Sequence, residues 1–137
     1  LSLAGIEGAP VDLILIDDNE SLRRALAENL REDGYTVLEY GHPTEVPPLS
    51  GLGDVVAVIT DFDMPGGNGL VFADRFHSAH PTVPIILLTA HRNGDLARLV
   101  ASRGFVHLLH KPFDYNALCH LLGAVISQRY RTAAASR

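Results

Sequence analysis

The chain has one cysteine, one methionine and no tryptophan, and only one of its eleven basic residues, Lys111, is a lysine. A lone thiol, Cys119, excludes an internal disulfide and any thiolate metal cluster built from this chain alone. No apolar run is long enough to cross a bilayer as a helix. Residues 1–10 lack the basic region and long apolar core of a secretory signal, so a reducing, cytoplasmic setting is expected. The chain opens on Leu1 rather than a methionine, which suggests trimmed or tagged ends. Net charge is −5, which argues against a nucleic-acid-binding surface within these residues. What is present, 137 residues of which 47% are hydrophobic and 20% charged, suits one globular domain with a sizeable core.

The most informative stretch is Val55-Val56-Ala57-Val58-Ile59-Thr60-Asp61. Its unbroken apolar run suits a strand buried on both faces, as in a parallel sheet. Pro65, Gly66, Gly67 and Gly69 mark a loop directly after it. Many strands end in Asp for turn reasons alone. Here, however, other apolar runs also end on polar residues. Residues 11–16 end in Asp17-Asp18, residues 84–88 in Thr89, and residues 105–110 in Lys111-Pro112. A parallel sheet gathers such ends at one edge, where open α/β sheets bind their ligands. The scarcity of lysine sharpens the point, because a compact, mobile ammonium is chemically distinct from a planar guanidinium.

Taken in order, residues 1–10 read as a lead-in and residues 11–16 as a first strand. Asn19 or Asp18 caps a helix over about 20–33 that carries Leu22, Ala25, Leu26 and Leu30 and stops at Gly34. Residues 35–40 read as an edge strand. Residues 41–53, with three prolines and three glycines, have room for a turn or two of helix. A third strand (55–60), a helix (68–79), a fourth strand (84–89) and a short helix carrying Leu96, Leu99 and Val100 follow. The last elements are a fifth strand (105–110), a helix from Asp114 onward, and a frayed end over 131–137. Five strands alternating with five helical segments define an α/β fold with a doubly wound five-stranded parallel sheet and helices on both faces. Right-handed crossovers with a reversal of direction make strands one and three neighbours. Asp17, Asp18 and Asp61 then share one site.

These motifs make the chain resemble the receiver domain of two-component response regulators, a flavodoxin-like fold, over residues 11–130. The matching residues are Asp17-Asp18, Asp61-Phe62-Asp63-Met64-Pro65 with Gly69, Thr89-Ala90 and Lys111-Pro112-Phe113. Each motif is short, but Asp61 stands 43 residues after Asp18, Thr89 28 after Asp61, and Lys111 22 after Thr89, a specific order and spacing. Residues 1–10 then form a lead-in and 131–137 a C-terminal tail or linker stub. The resemblance implies sheet order 2-1-3-4-5, a property of this fold class. It implies that Asp61 is the phosphoacceptor and that Asp18, Asp61 and the backbone carbonyl of Asp63 bind Mg2+ (or Mn2+), with Asp17 assisting through water. Thr89 and Lys111 would contact the phosphoryl group, and Lys111-Pro112 would be a cis peptide. The implied donor is a sensor histidine kinase or a histidine phosphotransfer protein. The implied output is a shift of the surface made by helical segment four, strand five and helical segment five, through which a homodimer could form. Direct nucleic-acid binding, membrane association and enzymatic activity beyond self-phosphorylation and slow autodephosphorylation are not implied.

The chemistry is consistent with these residue types. A carboxylate is a competent nucleophile for covalent phosphoryl capture. Three close carboxylates, however, repel one another and an incoming phosphate, and one would tend to protonate. Mg2+ takes oxygen ligands, keeps several waters and binds carboxylates together with phosphate. Thr89 brings one hydroxyl donor, and a hydrogen bond to a charged group is worth about 1.5–3 kcal/mol, enough to bias a two-state loop. Two departures from the family pattern stand out. Leu108 occupies the position three before the lysine, where an aromatic residue is usual, and the 41–53 segment is poor helix material. His91 and Asp63, each two residues past a motif position, flank the site as candidate modulators of phosphoryl lifetime.

Blander readings apply elsewhere. His77 and His80 share a helix-end face but have no third ligand nearby, and His107 and His110 alternate on a strand and so face opposite sides. Cys119 reads as a small core residue, and Arg129 and Arg131 as a solvated helix end. Asp61-Phe62-Asp63 also fits the DxD of haloacid-dehalogenase-type phosphatases, with Asp63 as general acid/base. In that family DxD lies on the first strand and the metal-binding acids come last, the reverse of the order here. A degenerate receiver acting only as a docking module would lack signature residues, and all five are filled.

Overall fold

The computed structural model describes residues 11–65, 67–92 and 94–135. The residues of the expected lead-in, 1–10, lie outside this set. Five strands, β1 (Val11–Ile16), β2 (Val37–Tyr40), β3 (Val55–Asp61), β4 (Ile85–Thr89) and β5 (Val106–His110), form one parallel sheet in the order β2-β1-β3-β4-β5. The expected strand order and fold class are thus observed. Among the described residues, four α-helices accompany them: α1 (Glu20–Glu32), α2 (Gly69–Ala79), α3 (Gly94–Ala101) and α4 (Tyr115–Ala135).

Two apolar layers sandwich the sheet. Leu13 and Leu15 pack with Leu26, Ala27 and Leu30 of α1 and Leu118, Leu122 and Val125 of α4. Ile14 and Ile16 point the other way and pack with Leu70, Phe72, Ala73 and Phe76 of α2 and Leu96 and Val100 of α3. Successive strand residues face opposite sides, so a run apolar at every position serves both layers. No helix among the described residues is long and apolar enough to cross a membrane.

Helix ends follow local chemistry. The Asn19 side chain accepts a hydrogen bond from the Leu22 amide at 3.1 Å, capping α1. At the other end Gly34 adopts φ +101°, Gly34 N–H bonds to Arg31 O and Tyr35 N–H to Leu30 O, a Schellman termination. This closure explains why β2 begins at Val37 rather than at residue 35. Tyr35 belongs to the helix stop, and Thr36 exchanges hydrogen bonds with the Asp12 carboxylate and amide at 2.9 Å.

The 41–53 segment holds only two 3-10 turns, Pro43–Glu45 and Leu49–Gly51, so the second helical segment of the expected five is not an α-helix. Val46, Leu49 and Leu52 still cover the α2 side of the sheet. The end of the chain departs from expectation as well. Helix α4 runs on through Ala135, past the expected frayed end at 131, over a Thr-Ala-Ala-Ala stretch rich in the best helix former. The short helix expected around Leu96, Leu99 and Val100 is α3, with Leu96 and Val100 buried and Leu99 53% exposed.

Candidate functional site

Four strand ends meet at the C-terminal edge of the sheet. Asp61 closes β3 and is 6% exposed, Asp17 follows β1 and is fully buried, Thr89 closes β4 and is fully buried, and Lys111 follows β5. Lys111 Nζ lies 3.2 Å from Asp61 Oδ1 and 3.4 Å from Asp17 Oδ2. Carboxylate oxygens of Asp17, Asp18 and Asp61 lie within 4.8 Å of one another, with Asp18 exposed. Asp17 is committed on both sides, since Oδ1 accepts the Asn19 amide at 2.9 Å while Oδ2 faces the ammonium. Asp18 and Asp61 remain the better placed for direct cation ligation. A cluster of hard oxygen donors such as this could hold a metal ion.

The electrostatics follow from this crowding. Burial, and then the Asp17 charge, push the Asp61 carboxyl above the usual carboxylate range, and Lys111 only partly counters them. Burial on its own lowers the pKa of Lys111, but the adjacent Asp17 and Asp61 carboxylates outweigh it and hold the ammonium above its ordinary value. The site is therefore rich in negative charge that one lysine does not neutralise.

Close approach of backbone shapes the loop after β3. A Cβ on Gly69 would lie 2.2 Å from the Asp61 carbonyl oxygen and 2.8 Å from Leu87 Cδ1, so only glycine fits there. Gly69 N–H also bonds to Phe62 O at 2.9 Å, and the Asn68 side chain caps α2 through Val71 N–H at 2.9 Å. Between them, Asp63–Met64 and Gly67–Asn68 form a short antiparallel ladder. Thr89 Oγ1 accepts the His91 amide at 3.0 Å, a bond that leaves the hydroxyl hydrogen uncommitted. The His91 ring pairs with Asp63 at 2.9 Å and meets the Phe62 ring edge-on, with centroids 5.5 Å apart. Both expected flanking residues therefore touch each other across the site mouth. Lys111-Pro112 is cis. Leu108 sits on β5 facing the α2–α3 layer as a partly buried apolar residue.

Several contacts at this edge were not legible in the sequence. Arg23 donates to the Asp17 carbonyl at 3.0 Å and pairs with Glu39 at 3.3 Å. Arg92 donates to the Lys111 carbonyl at 3.0 Å, joining the loops after β4 and β5. His42 Nε2 lies 2.7 Å from the Pro65 carbonyl oxygen. The signal for His42 was its place: it follows β2 at the same sheet edge, just as Asp17, Asp61, Thr89 and Lys111 follow their strands. Among the described residues, the remaining histidines belong to no metal-ligand cluster. His77 stacks on Phe105 with centroids 3.6 Å apart, and His80 stacks on Phe76 while bonding to the Leu49 carbonyl at 2.8 Å. Two expectations need correction. Cys119 is half-buried beside Asp33 of the α1 side rather than in the core. Arg129 is no solvated helix end, because its guanidinium donates to the Val55 and Val56 carbonyls at 2.7 and 2.9 Å.

A model of the response regulator receiver domain family matches residues 13–123, and the chain belongs to that family. It is a two-component signalling domain rather than a classical enzyme. It is 35% identical over 112 residues to the C4-dicarboxylate transport transcriptional regulatory protein DctD of Rhizobium meliloti (strain 1021), covering 80% of this chain and 24% of that protein. It is 30% identical over 113 residues to the DNA-binding transcriptional regulator NtrC of Escherichia coli (strain K12), covering 82% of this chain and 24% of that protein. Among solved structures, a response regulator receiver domain protein from Clostridium thermocellum superposes with TM-score 0.77 at 26% identity, covering 89% of this chain and 98% of that one. The chain spans about a quarter of the length of the curated relatives named here.

Proposed function

We propose that this domain captures a phosphoryl group on Asp61 with the help of Mg2+, and that the resulting aspartyl phosphate changes the α3–β5–α4 surface. The observation that carries the proposal is the convergence of Asp18, Asp61 and Lys111 from three separate strand ends onto one point. An Asp61 carboxylate oxygen attacks the phosphorus of the donor, the new O–P bond forms, and the bond to the donor's leaving group breaks. Asp18 and Asp61 would hold the ion with the Asp63 carbonyl, and Asp17, occupied by Lys111 and the Asn19 amide, would act through water. Bound there, Mg2+ supplies positive charge to the carboxylates and to the equatorial phosphoryl oxygens. Lys111 exchanges one of its carboxylate partners for a phosphoryl oxygen. The Thr89 hydroxyl donates to another, and the loop after β4 follows it inward.

Because α3, β5 and α4 adjoin the loops that carry Thr89 and Lys111, the change is transmitted to that face. Leu108 replaces the usual aromatic, so the threonine movement works here without an aromatic ring beside it. The donor is a sensor histidine kinase or histidine phosphotransfer protein of the cytoplasm. The phosphorylated face engages an output segment, a partner or a second copy of the domain.

Intact mass spectrometry after incubation with acetyl phosphate tests the proposal. One added phosphoryl group is expected with Mg2+ present, none after chelation, and none on Asp61→Ala. Equal labelling of native and variant protein contradicts the site. Multiple-turnover release of phosphate from a simple monoester would favour the phosphatase chemistry of an Asp61/Asp63 pair instead.

A further inference from the structure

The 41–53 segment, which replaces a regular helix, touches both loops that frame the carboxylate cluster. At its start the Tyr40 carbonyl accepts the Asp17 amide at 3.1 Å. Two residues on, the His42 ring reaches the Pro65 carbonyl at 2.7 Å. In the sheet β1 lies between β2 and β3, so this contact links the ends of β2 and β3 across the end of β1, where Asp17 and Asp18 sit. The tautomer is fixed by its surroundings. Nδ1 accepts the Thr44 amide at 3.2 Å and lies 2.9 Å from Thr44 Oγ1, so Nε2 carries the ring proton and donates it to Pro65. Pro65 is the tip of the Asp63–Met64/Gly67–Asn68 ladder, two residues beyond the Asp63 carbonyl. On the opposite side the same ladder is held through the Asp63 side chain by His91.

We infer that His42 is a positioning residue for the cation site: its imidazole holds the turn after β3 so that the Asp63 carbonyl is aimed at the ion before the ion arrives. This rests on the phosphoacceptor reading above. Met64 anchors one side of this turn in the core and His91 holds the Asp63 side chain, while His42 is bound to the backbone at the tip, and an outer group that fixes a ligand commonly governs affinity. The proline-rich segment is then the brace of the site, with His42 as its point of contact.

The test is the affinity for Mg2+ alone, measured by calorimetry on the native chain and on His42→Leu and His42→Gln. Leu removes the donor at similar size, whereas Gln retains a side-chain N–H. The expected result is a Kd for Mg2+ raised about tenfold or more by His42→Leu and largely restored by His42→Gln. The metal-free thermal midpoint should stay within about 4 °C of native. A Kd for His42→Leu within about twofold of native, or an equal loss in both variants, overturns the inference. Should His42→Leu not fold, the native imidazole NMR signals decide. Added Mg2+ should shift His42 but not His80, which clips the same segment at Leu49; an unmoved His42 overturns the inference. Native protein that binds no Mg2+ at all sinks the phosphoacceptor reading as well, an outcome distinct from either variant result.

Discussion

At the level of single residues, Asp61 is held in a poor environment for its own charge. Its folded pKa lies above the unfolded value because of burial first and Asp17 second. A carboxylate shifted in that direction favours folding below its unfolded pKa and loses the contribution as pH rises through the folded value. Asp61→Asn is therefore expected to raise the thermal midpoint of metal-free protein at pH 7, with the gain shrinking toward pH 4. Calorimetry in chelator reads this directly. Saturating Mg2+, at about 100 times Kd, should stabilise native protein by about 2.7 kcal/mol and the variant by much less. Lys111 is bound to two of the three carboxylates of the cluster, Asp17 and Asp61. Lys111→Ala is expected to leave Mg2+ affinity equal or tighter while shrinking the chemical-shift changes that follow phosphorylation. An NMR titration with Mg2+, then acetyl phosphate, separates the two effects.

The residues of the site were legible because they follow apolar strands, and strand ends share an edge. The residues that orient them were not. Arg23 and Arg92 act on backbone carbonyls, at Asp17 and Lys111, and a carbonyl leaves no trace in a sequence. Arg129 was misjudged for the same reason, since Val55 and Val56 offer it only main-chain oxygens. Cys119 was misplaced because half-burial on an amphipathic helix depends on rotation of the helix about its axis.

At the level of elements, the approach of α2 to β3 is set by Gly69. Its missing Cβ lets the helix start 2.2 Å, in Cβ terms, from the Asp61 carbonyl oxygen. Gly69→Ala should destabilise the domain by about 1–3 kcal/mol, since the obstacle is backbone rather than a flexible side chain. Urea unfolding measures the loss, and phosphorylation by acetyl phosphate should fall with it. The middle of α2 is braced differently. Arg103 grips Asp74 with Nε at 2.7 Å and Nη2 at 2.9 Å, and this hydrogen-bonded pair holds the Asp74 carboxyl below its usual pKa. Both side chains remain partly exposed, so Arg103→Ala should cost only about 1 kcal/mol at neutral pH. A carboxyl depressed on folding stabilises above its unfolded pKa and ceases to as pH falls through the folded one. The difference between native and variant should therefore vanish in acid. The boundaries of α1 followed from the cap at Asn19 and the stop at Gly34, whereas the proline-rich segment could be read only as something other than a good helix. Its two 3-10 turns and its clip at His80 depend on what lies opposite.

At the level of the whole molecule, one parallel sheet serves two purposes. Its two apolar faces hold four helices, and its C-terminal edge gathers charges that would not otherwise coexist. The long α4, pinned to the start of β3 by Arg129, carries the chain past the family match at residue 123 to Ala135. In the relatives named above, the matched segment makes up 24% of the protein. The most direct measurement is chemical trapping of the modified residue. The protein is incubated with acetyl phosphate and Mg2+ and reduced with borohydride, which converts an aspartyl phosphate to a primary alcohol, and its peptides are then mapped by mass spectrometry. Reduction at Asp61 alone, lost when Mg2+ is chelated, is predicted; reduction at Asp17, Asp18 or Asp63 with Asp61 intact would contradict it.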